Sequence, residues 1–332
     1  MKKSGCVIVL LFLALCVSMF VNGLLLVSVG AKSASSSMSS TPLSFEETEI
    51  YAGDGTSDKI VVIPLEGVIA FGVPGSLGDS MVEDLKLAFR QAAEDPDVKG
   101  VVMVVDSPGG EVTASDTIYH EIQKLAALKP VVYYMQSIGA SGAYYAACGA
   151  SWIMCNDTTF TGSIGVIIST LNYRELFGKV GLQSVVFKSG KFKDMLNGAR
   201  ELTPEESEYV QALVMQSYDR FLGIVATARG LQPEALKAGP ADGRILSGTD
   251  ALREKLVDQT GYVEEAYSKA QELAESPDAA VVRYERTFSF GRIFRMFGEA
   301  SATAPKVEVD LLRGSPDLLP GRQYFLPPFF AP

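Results

Sequence analysis

Apolar and polar positions along this chain fall into distinct regimes. From Cys6 to Val29 the sequence reads CVIVLLFLALCVSMFVNGLLLVSV, with no charge and a single Asn. Such a run is long enough to cross a bilayer as a helix, which takes ~20 apolar residues. Residues 31–56 then turn polar and Ser-rich without periodicity, the composition of a linker. From 57 to 276 short apolar runs alternate with amphipathic stretches. After Pro277 the pattern weakens: 281–284 reads as a strand and 291–297 as a helix, and the Pro-rich end QYFLPPFFAP is expected to be extended or disordered.

Within 57–276, Lys59–Ile69, Val101–Val105, Pro130–Met135 and Trp152–Met154 have the β-branched, apolar character of buried strands. Leu77–Asp95, with Leu85, Ala88 and Phe89 on one face, and Ala114–Leu125 read as amphipathic helices, and Ser141 opens a third helix. Ile164–Ile168, Leu171–Val180 and Ser184–Phe187 continue the alternation. Thr203-Pro204-Glu205-Glu206 is a strong helix opening, with a Thr cap and Pro at the first position, for a helix reaching about Arg229. Arg244–Asp258 gives a short strand and a Ser-capped helix, and Val263–Glu275 another helix. Strands alternating with helices imply right-handed βαβ units around a parallel sheet, an α/β fold with additional C-terminal helices.

Charge and residue counts narrow the chemistry. The 332 residues carry a net charge of −10, and no dense Lys/Arg run follows Lys2 and Lys3. Nucleic acid is therefore not an expected partner. Lys2 and Lys3 put residues 1–5 in the cytoplasm by the positive-inside rule, with 6–30 as a signal-anchor and everything later outside the membrane. Val29-Gly30-Ala31 leaves a cleaved leader as the alternative. The four cysteines form no CxxC pair, and Cys148 and Cys155 read as isolated core thiols, although spacing alone does not exclude a disulfide between them. With His120 the only imidazole, a multi-His metal site is excluded, and no cofactor or metal is expected. Ile118, Ile122 and Leu125 mark the apolar face of its helix, so His120 faces elsewhere, and a lysine becomes the natural candidate for a base.

Three segments have catalytic potential. Asp106-Ser107-Pro108-Gly109-Gly110 ends a buried strand, where two glycines let backbone N–H groups approach a ligand; a plain turn is the bland alternative. Ser137-Ile138-Gly139-Ala140-Ser141-Gly142-Ala143 is a small-residue elbow between strand and helix, suited either to exposing a nucleophilic hydroxyl or to simple helix capping by Ser141. Phe187–Asp194 (FKSGKFKD) holds three lysines that would ordinarily be a solvated turn.

Together these segments resemble one family in order and spacing. VVDSPGGEVTASD (104–116), KPVVYYMQSIGASGAYYAA (129–147), TGSIGVI (161–167) and FKSGKFKDM (187–195) are similar to the S49 peptidases of the signal peptide peptidase A group, in their short bacterial form, over 57–276. GRILSGTDALREKLVD (243–258) is similar to a segment shared with crotonase-like relatives, except that Glu254-Lys255 stands where the pattern has Leu-Gly. The resemblance implies a ClpP/crotonase-like fold of repeated βαβ units and a serine-type endopeptidase of EC class 3.4.21. It implies Ser141 as nucleophile and Lys193 as general base, with Lys191 the competing lysine. Ser163 would hydrogen-bond the amine, and Gly109 and Gly142 would form the oxyanion hole. It further implies peptide substrates, namely remnant signal peptides and other extended hydrophobic segments, at the cytoplasmic membrane, and ring-like homo-oligomers. The rival readings are a crotonase-like acyl-CoA enzyme and a non-catalytic membrane scaffold.

A serine hydroxyl attacks only once a base removes its proton. An ordinary lysine titrates near ~10.4 and serves only if a dry site favours its neutral form. A carboxylate partner would oppose this, so Asp194 must point away from the Lys193 amine. The apolar end of the tail, Phe325–Pro332, is a candidate to enter a neighbouring subunit's cleft.

Overall fold

In a computed structural model of the chain, the structure describes residues 45–72 and 80–286, with isolated positions 15, 18, 19 and 324–325. Met1–Ser44 and Phe45–Pro332 form separate units. In the first unit Leu15, Ser18 and Met19 are helical and exposed; the rest of the 6–30 anchor lies outside the described residues. Among the described residues no helix is long and apolar enough to cross a membrane. The helix expected over 291–297 also lies outside them.

The second unit opens with strands β1 (Phe45–Tyr51) and β2 (Lys59–Glu66), then helix α1 (Met81–Glu94) and strands β3 (Val98–Ser107) and β4 (Gly110–Glu111). Next come α2 (Val112–Ala126), β5 (Val131–Ala140), α3 (Gly142–Ala147), β6 (Trp152–Cys155), β7 (Phe160–Gly162) and α4 (Arg174–Lys179). The chain continues through α5 (Pro204–Arg229), α6 (Pro233–Ala238), β8 (Ile245–Ser247), α7 (Gly248–Arg253), β9 (Gln259–Thr260), α8 (Val263–Leu273), β10 (Ala280–Arg286) and β11 (Tyr324–Phe325). The main sheet runs β1-β10-β2-β3-β5-β6-β9. Its strands pair in parallel from β10 to β9, while β1 is antiparallel to β10. This is the mixed α/β, largely parallel architecture that the strand–helix alternation implies.

Both sheet faces are covered, as a parallel sheet requires. Val61, Ile63, Val101, Met103, Val131 and Tyr133 pack with α1, α2, α3 and α5 through Leu85, Phe89, Ile118, Tyr144 and Phe221. The alternate residues Ile60, Val62, Val102, Val132 and Tyr134 pack beneath α8 through Ala266, Tyr267 and Ala270. The period of two along each strand decides which layer a side chain joins. Helix α5 is set by local sequence: Thr203 and Glu206 form a reciprocal capping box, Pro204 starts the first turn, and Gly230 closes the helix in the left-handed conformation.

Four expectations need correction. Phe45–Tyr51 (FEETEIY), inside the 31–56 stretch read as linker, is the edge strand β1, so the folded unit begins at Phe45 rather than 57. Its partner β10 extends the fold past 276 into the segment read as tail. Acidic residues on its solvent side disguise β1; it becomes a strand because β10 offers an edge and Phe45 stacks on Tyr284, ring centroids 5.8 Å apart. Ser184–Phe187 forms no strand and stands exposed, Phe187 by 95%. Ile164–Ile168 forms no strand beyond an isolated bridge at Ile167.

Candidate active site

The carboxyl ends of β3 and β5 build the site. The two strands pair regularly from Val101↔Val131 to Val105↔Met135, then lose register before Ser107↔Gly139. The Asp106 carboxylate accepts the Ile138 N–H at 3.0 Å across this irregularity. Beyond it β5 exchanges partners: β6 pairs with Val132–Met135 and β7 with Ile138–Ala140, so Ala140 lies beside Gly162.

Ser141 follows at once, with φ 53° and ψ −111°. A non-glycine residue held in such a sparsely populated conformation costs ~1–3 kcal/mol and persists only where its surroundings enforce it. The Ser141 N–H donates to the Gly162 carbonyl at 2.8 Å, and its own carbonyl accepts from the Tyr145 N–H at 2.8 Å. The side chain is buried, does not cap α3, and its Oγ has no hydrogen-bond partner among the described residues. The capping alternative is thereby removed. Short helix α3 is held in place by phenols: Tyr133 donates to the Ala143 carbonyl at 2.8 Å and Tyr144 to the Leu256 carbonyl at 2.7 Å. Burial pushes both phenols well above their ordinary range, so they remain donors. Tyr145 donates to the Asp116 carboxylate at 2.5 Å, which also binds Arg220.

The two glycine segments meet next to this elbow. A Cβ added to Gly142 would stand 2.4 Å from Ser115 Oγ, 3.0 Å from the Gly110 nitrogen and 3.3 Å from Gly109 Cα. Gly142 is the first residue of α3, where N–H groups have no acceptor within the helix. Gly109 has φ 98°, and its N–H donates to Ser107 Oγ at 3.2 Å. Ser163, buried at φ 49°, follows Gly162 at φ 73°, and donates its N–H to the Arg244 carbonyl at 2.8 Å. The structure thus brings Ser141, Gly109, Gly142 and the Gly162-Ser163 turn together.

Lys193 is not part of that cluster within one chain. It is exposed, while Ser141 Oγ meets no described donor or acceptor. Its segment is nonetheless anchored. Phe192 packs on Tyr209 of α5, ring centroids 5.4 Å apart, and the neighbouring Asp194 accepts from Arg200 at 2.8 Å and Lys188 at 2.7 Å. Hydrogen bonds from Arg200 and then Lys188 hold the Asp194 carboxyl well below the usual carboxylate range. Asp194 is therefore committed away from Lys193, as a lysine base requires. Lys191 pairs with Glu205 at 2.5 Å.

Elsewhere, His120 is exposed on α2, and Cys148 and Cys155 are buried free thiols, not a disulfide. Among the described residues no cluster of His, Cys, Asp or Glu could hold a metal ion. Glu111 is buried beside Gly110. Strand β4, which carries it, pairs antiparallel with β11 near the end of the chain, Tyr324 opposite Glu111 and Phe325 opposite Gly110.

Similarity to known proteins decides the assignment. A protein of Enterococcus faecium provisionally named signal peptide peptidase SppA is 37% identical over 250 residues, covering 72% of this chain and 71% of the relative. The chain belongs to peptidase family S49. The model of that family matches residues 123–276, which contain Ser141, Ser163 and Lys193. A Synechocystis protein provisionally named a protease is 40% identical over 219 residues, covering 66% of this chain and 76% of the relative. Protease 4 of Salmonella typhi is 33% identical over 236 residues, covering 70% of this chain and 37% of that longer protein. As an S49 member, the chain is a serine-type peptidase with the ClpP/crotonase-like fold of its family.

Proposed function

We propose that this S49 peptidase is a membrane-anchored endopeptidase that degrades remnant signal peptides and other extended hydrophobic peptides, with Ser141 as nucleophile and Lys193 as general base. The observation that carries the reading is the Ser141 elbow. A buried hydroxyl with no hydrogen-bond partner among the described residues stands on strained backbone, at a helix N-terminus, against two glycine segments. A serine kept for structure would spend its hydroxyl on a cap or a neighbour.

Attack by Ser141 Oγ on a peptide carbonyl would place the developing oxyanion toward the Gly109 and Gly142 amides. One such donor is worth ~3–4 kcal/mol where measured. The hydroxyl proton passes to the Lys193 amine, which then protonates the leaving nitrogen; water hydrolyses the acyl-enzyme. Ser163 would orient the amine from beside the elbow. Since Lys193 does not reach Ser141 in its own chain, a second copy supplies it. Leu176, Val180, Leu182, Val185, Val186 and Phe187, all exposed on the approach to Lys193, favour such a contact: burying them would stabilise association and remove water from the amine.

The pairing of β11 with β4 supports an extended substrate, because this edge accepts an added strand one step from the oxyanion glycines. The name of the E. faecium relative points to signal peptides. The 6–30 segment and Lys2-Lys3 support a single pass in the cytoplasmic membrane, with the peptidase unit outside.

Mixing two inactive variants tests the reading. Ser141→Ala and Lys193→Ala should each abolish peptide hydrolysis, and co-assembled copies of the two should recover part of it. Hydrolysis surviving Ser141→Ala would reject the nucleophile, and mixtures that remain inactive would reject a lysine supplied by a second copy.

A further inference from the structure

We propose that Asp106 is a positioning residue for the hydrolysis: by holding the irregular stretch of β5 to the end of β3, its carboxylate oxygen sets the spacing between the Gly109 and Gly142 amides. The proposal rests on the peptidase reading above and adds to it a residue that acts through the backbone on both oxyanion donors.

The β3–β5 ladder breaks where the site begins. From Val105↔Met135 to Ser107↔Gly139, β3 advances two residues while β5 advances four. On the other flank of β5, pairing with β6 ends at Met135 and pairing with β7 begins at Ile138. Gln136 and Ser137 therefore stand outside the ladders on both sides. Backbone groups that lose a ladder partner need another, because a buried unpaired one costs about as much as a lost hydrogen bond. Side chains supply the partners here. Asp106 Oδ1 accepts the Ile138 N–H at 3.0 Å, Thr159 Oγ1 donates to the Gln136 carbonyl at 2.6 Å, and Thr161 Oγ1 donates to the Gly139 carbonyl at 2.7 Å.

Asp106 differs from the two threonines in what it joins. Thr159 directly precedes β7 and Thr161 lies within it, so both tie β5 to a strand that carries neither Gly109 nor Gly142. Asp106 ties β5 to the strand that leads into Gly109. Gly109 follows Asp106 by three residues, and Gly142 follows Ile138 by four. The segment from Asp106 to Gly109 is itself fixed from the other side: the Asp106 carbonyl accepts the Gly67 N–H at 3.0 Å, and the Gly109 carbonyl accepts the Ile69 N–H at 2.8 Å. The Asp106–Ile138 bond then fixes β5 against it. Little play is left between the two segments, since a Cβ on Gly142 would lie 3.0 Å from the Gly110 nitrogen and 3.3 Å from Gly109 Cα. Two amides serve one oxyanion only at a set separation, and a misplacement of ~1 Å can cost ~100-fold in rate. What the Ile138 N–H requires is an acceptor oxygen at that point. A carboxamide provides one there; a carboxylate carried one methylene further does not.

The test compares Asp106→Asn, Asp106→Glu and Asp106→Ala with the wild type, as full-length chains in detergent, on a hydrophobic reporter peptide. Asp106→Asn should keep kcat within about threefold of the wild type, whereas Asp106→Glu and Asp106→Ala should lose ~10–100-fold in kcat with KM changed by less than about twofold. A peptide aldehyde, to whose carbonyl the Ser141 hydroxyl adds to give a tetrahedral hemiacetal, should lose affinity in the Glu and Ala variants by the same factor as kcat. The reporter peptide should bind Ser141→Ala equally well with and without Asp106→Glu, by fluorescence polarisation. Wild-type kcat in Asp106→Glu would show that the place of the oxygen does not matter, and Asp106→Asn as impaired as Asp106→Ala would show that charge does; either overturns the proposal. Equal losses of aldehyde and reporter-peptide affinity would also overturn it, as a general loosening of the site. A wild type that neither hydrolyses the peptide nor captures the aldehyde would remove the peptidase reading, and the role of Asp106 with it. Hydrolysis indifferent to all three substitutions would remove the role alone.

Discussion

The backbone N–H of Ser141 donates to the carbonyl oxygen of Gly162 at 2.8 Å. This bond ties the end of β5 to the end of β7 where both chains take left-handed conformations, at Ser141 and at Gly162-Ser163. The elbow is thereby preorganised: the strain at Ser141 is maintained by a neighbouring strand, and Ser163 is delivered to the same place. Replacing Ser163 by Ala should lower kcat for peptide hydrolysis ~10–100-fold with little change in KM, because the role proposed for it is to orient the base rather than to bind substrate. A KM effect with unchanged kcat would assign Ser163 to substrate binding instead.

Gly142 leaves no room for a side chain. The added methyl of Gly142→Ala would lie 2.4 Å from Ser115 Oγ and 3.0 Å from the Gly110 nitrogen. The variant should lose at least ~100-fold in kcat, the scale of one displaced oxyanion donor, together with several degrees in Tm. Ser115→Ala added to it should recover part of the Tm but not the rate, since the backbone contact with Gly110 remains.

Arg200 joins Asp194, next to Lys193, to Glu206 in the first turn of α5, at 2.8 and 2.5 Å. Its hydrogen bonds are the main cause holding Glu206 down at about 2 and Asp194 well below the usual range. A carboxyl depressed in the folded state adds stability above its unfolded value and loses it as pH falls toward the folded one. For Glu206 this window runs from about 4.5 down to about 2. The urea midpoint of the wild type should exceed that of Arg200→Gln at pH 7, and the gap should close across that window. A gap independent of pH would show that Arg200 acts through packing alone.

Strand β11 occupies the edge assigned to substrate. Ending the chain after residue 320 should raise kcat/KM for an added peptide several-fold, chiefly through a lower KM. An unchanged KM would mean that Tyr324–Phe325 does not compete with substrate.

Burial pushes the thiols of Cys148 and Cys155 up to about 12. Thiolate is the reactive form. Iodoacetamide at pH 8 should therefore leave both unmodified in the native protein and label both in urea, by intact mass. Native labelling would show that the core around α3 opens.

Much of the fold and part of the site were legible in the sequence. The runs Val101–Val105 and Pro130–Met135 are apolar throughout because their strands are buried on both faces, and Thr203-Pro204-Glu205-Glu206 announces α5 through local hydrogen bonding alone. The glycines after Pro108 were readable as a place where backbone N–H groups can approach a ligand, and the small residues around Ser141 as an elbow between strand and helix. Strand β1 was not readable, because its acidic outer face hides a pairing that exists only through β10. Ser184–Phe187 was misread for the converse reason: β-branched residues signal a strand, yet no strand edge meets them among the described residues.

By itself the sequence determined the alternation of strands and helices, the candidate chemistry of Ser141 and Lys193, and the lack of a second imidazole. Those properties reside in residue type and in contacts a few positions apart. Only the tertiary structure decided that Ser141 is strained and unpartnered among the described residues, that Gly142 meets Gly110, that Glu111 lines the edge taken by an extended strand, and that Lys193 makes no hydrogen bond to the serine of its own chain. Each of these is a distance between residues far apart in sequence. Such distances follow from which strand edges and faces close on one another when the whole core packs, and no local pattern encodes them.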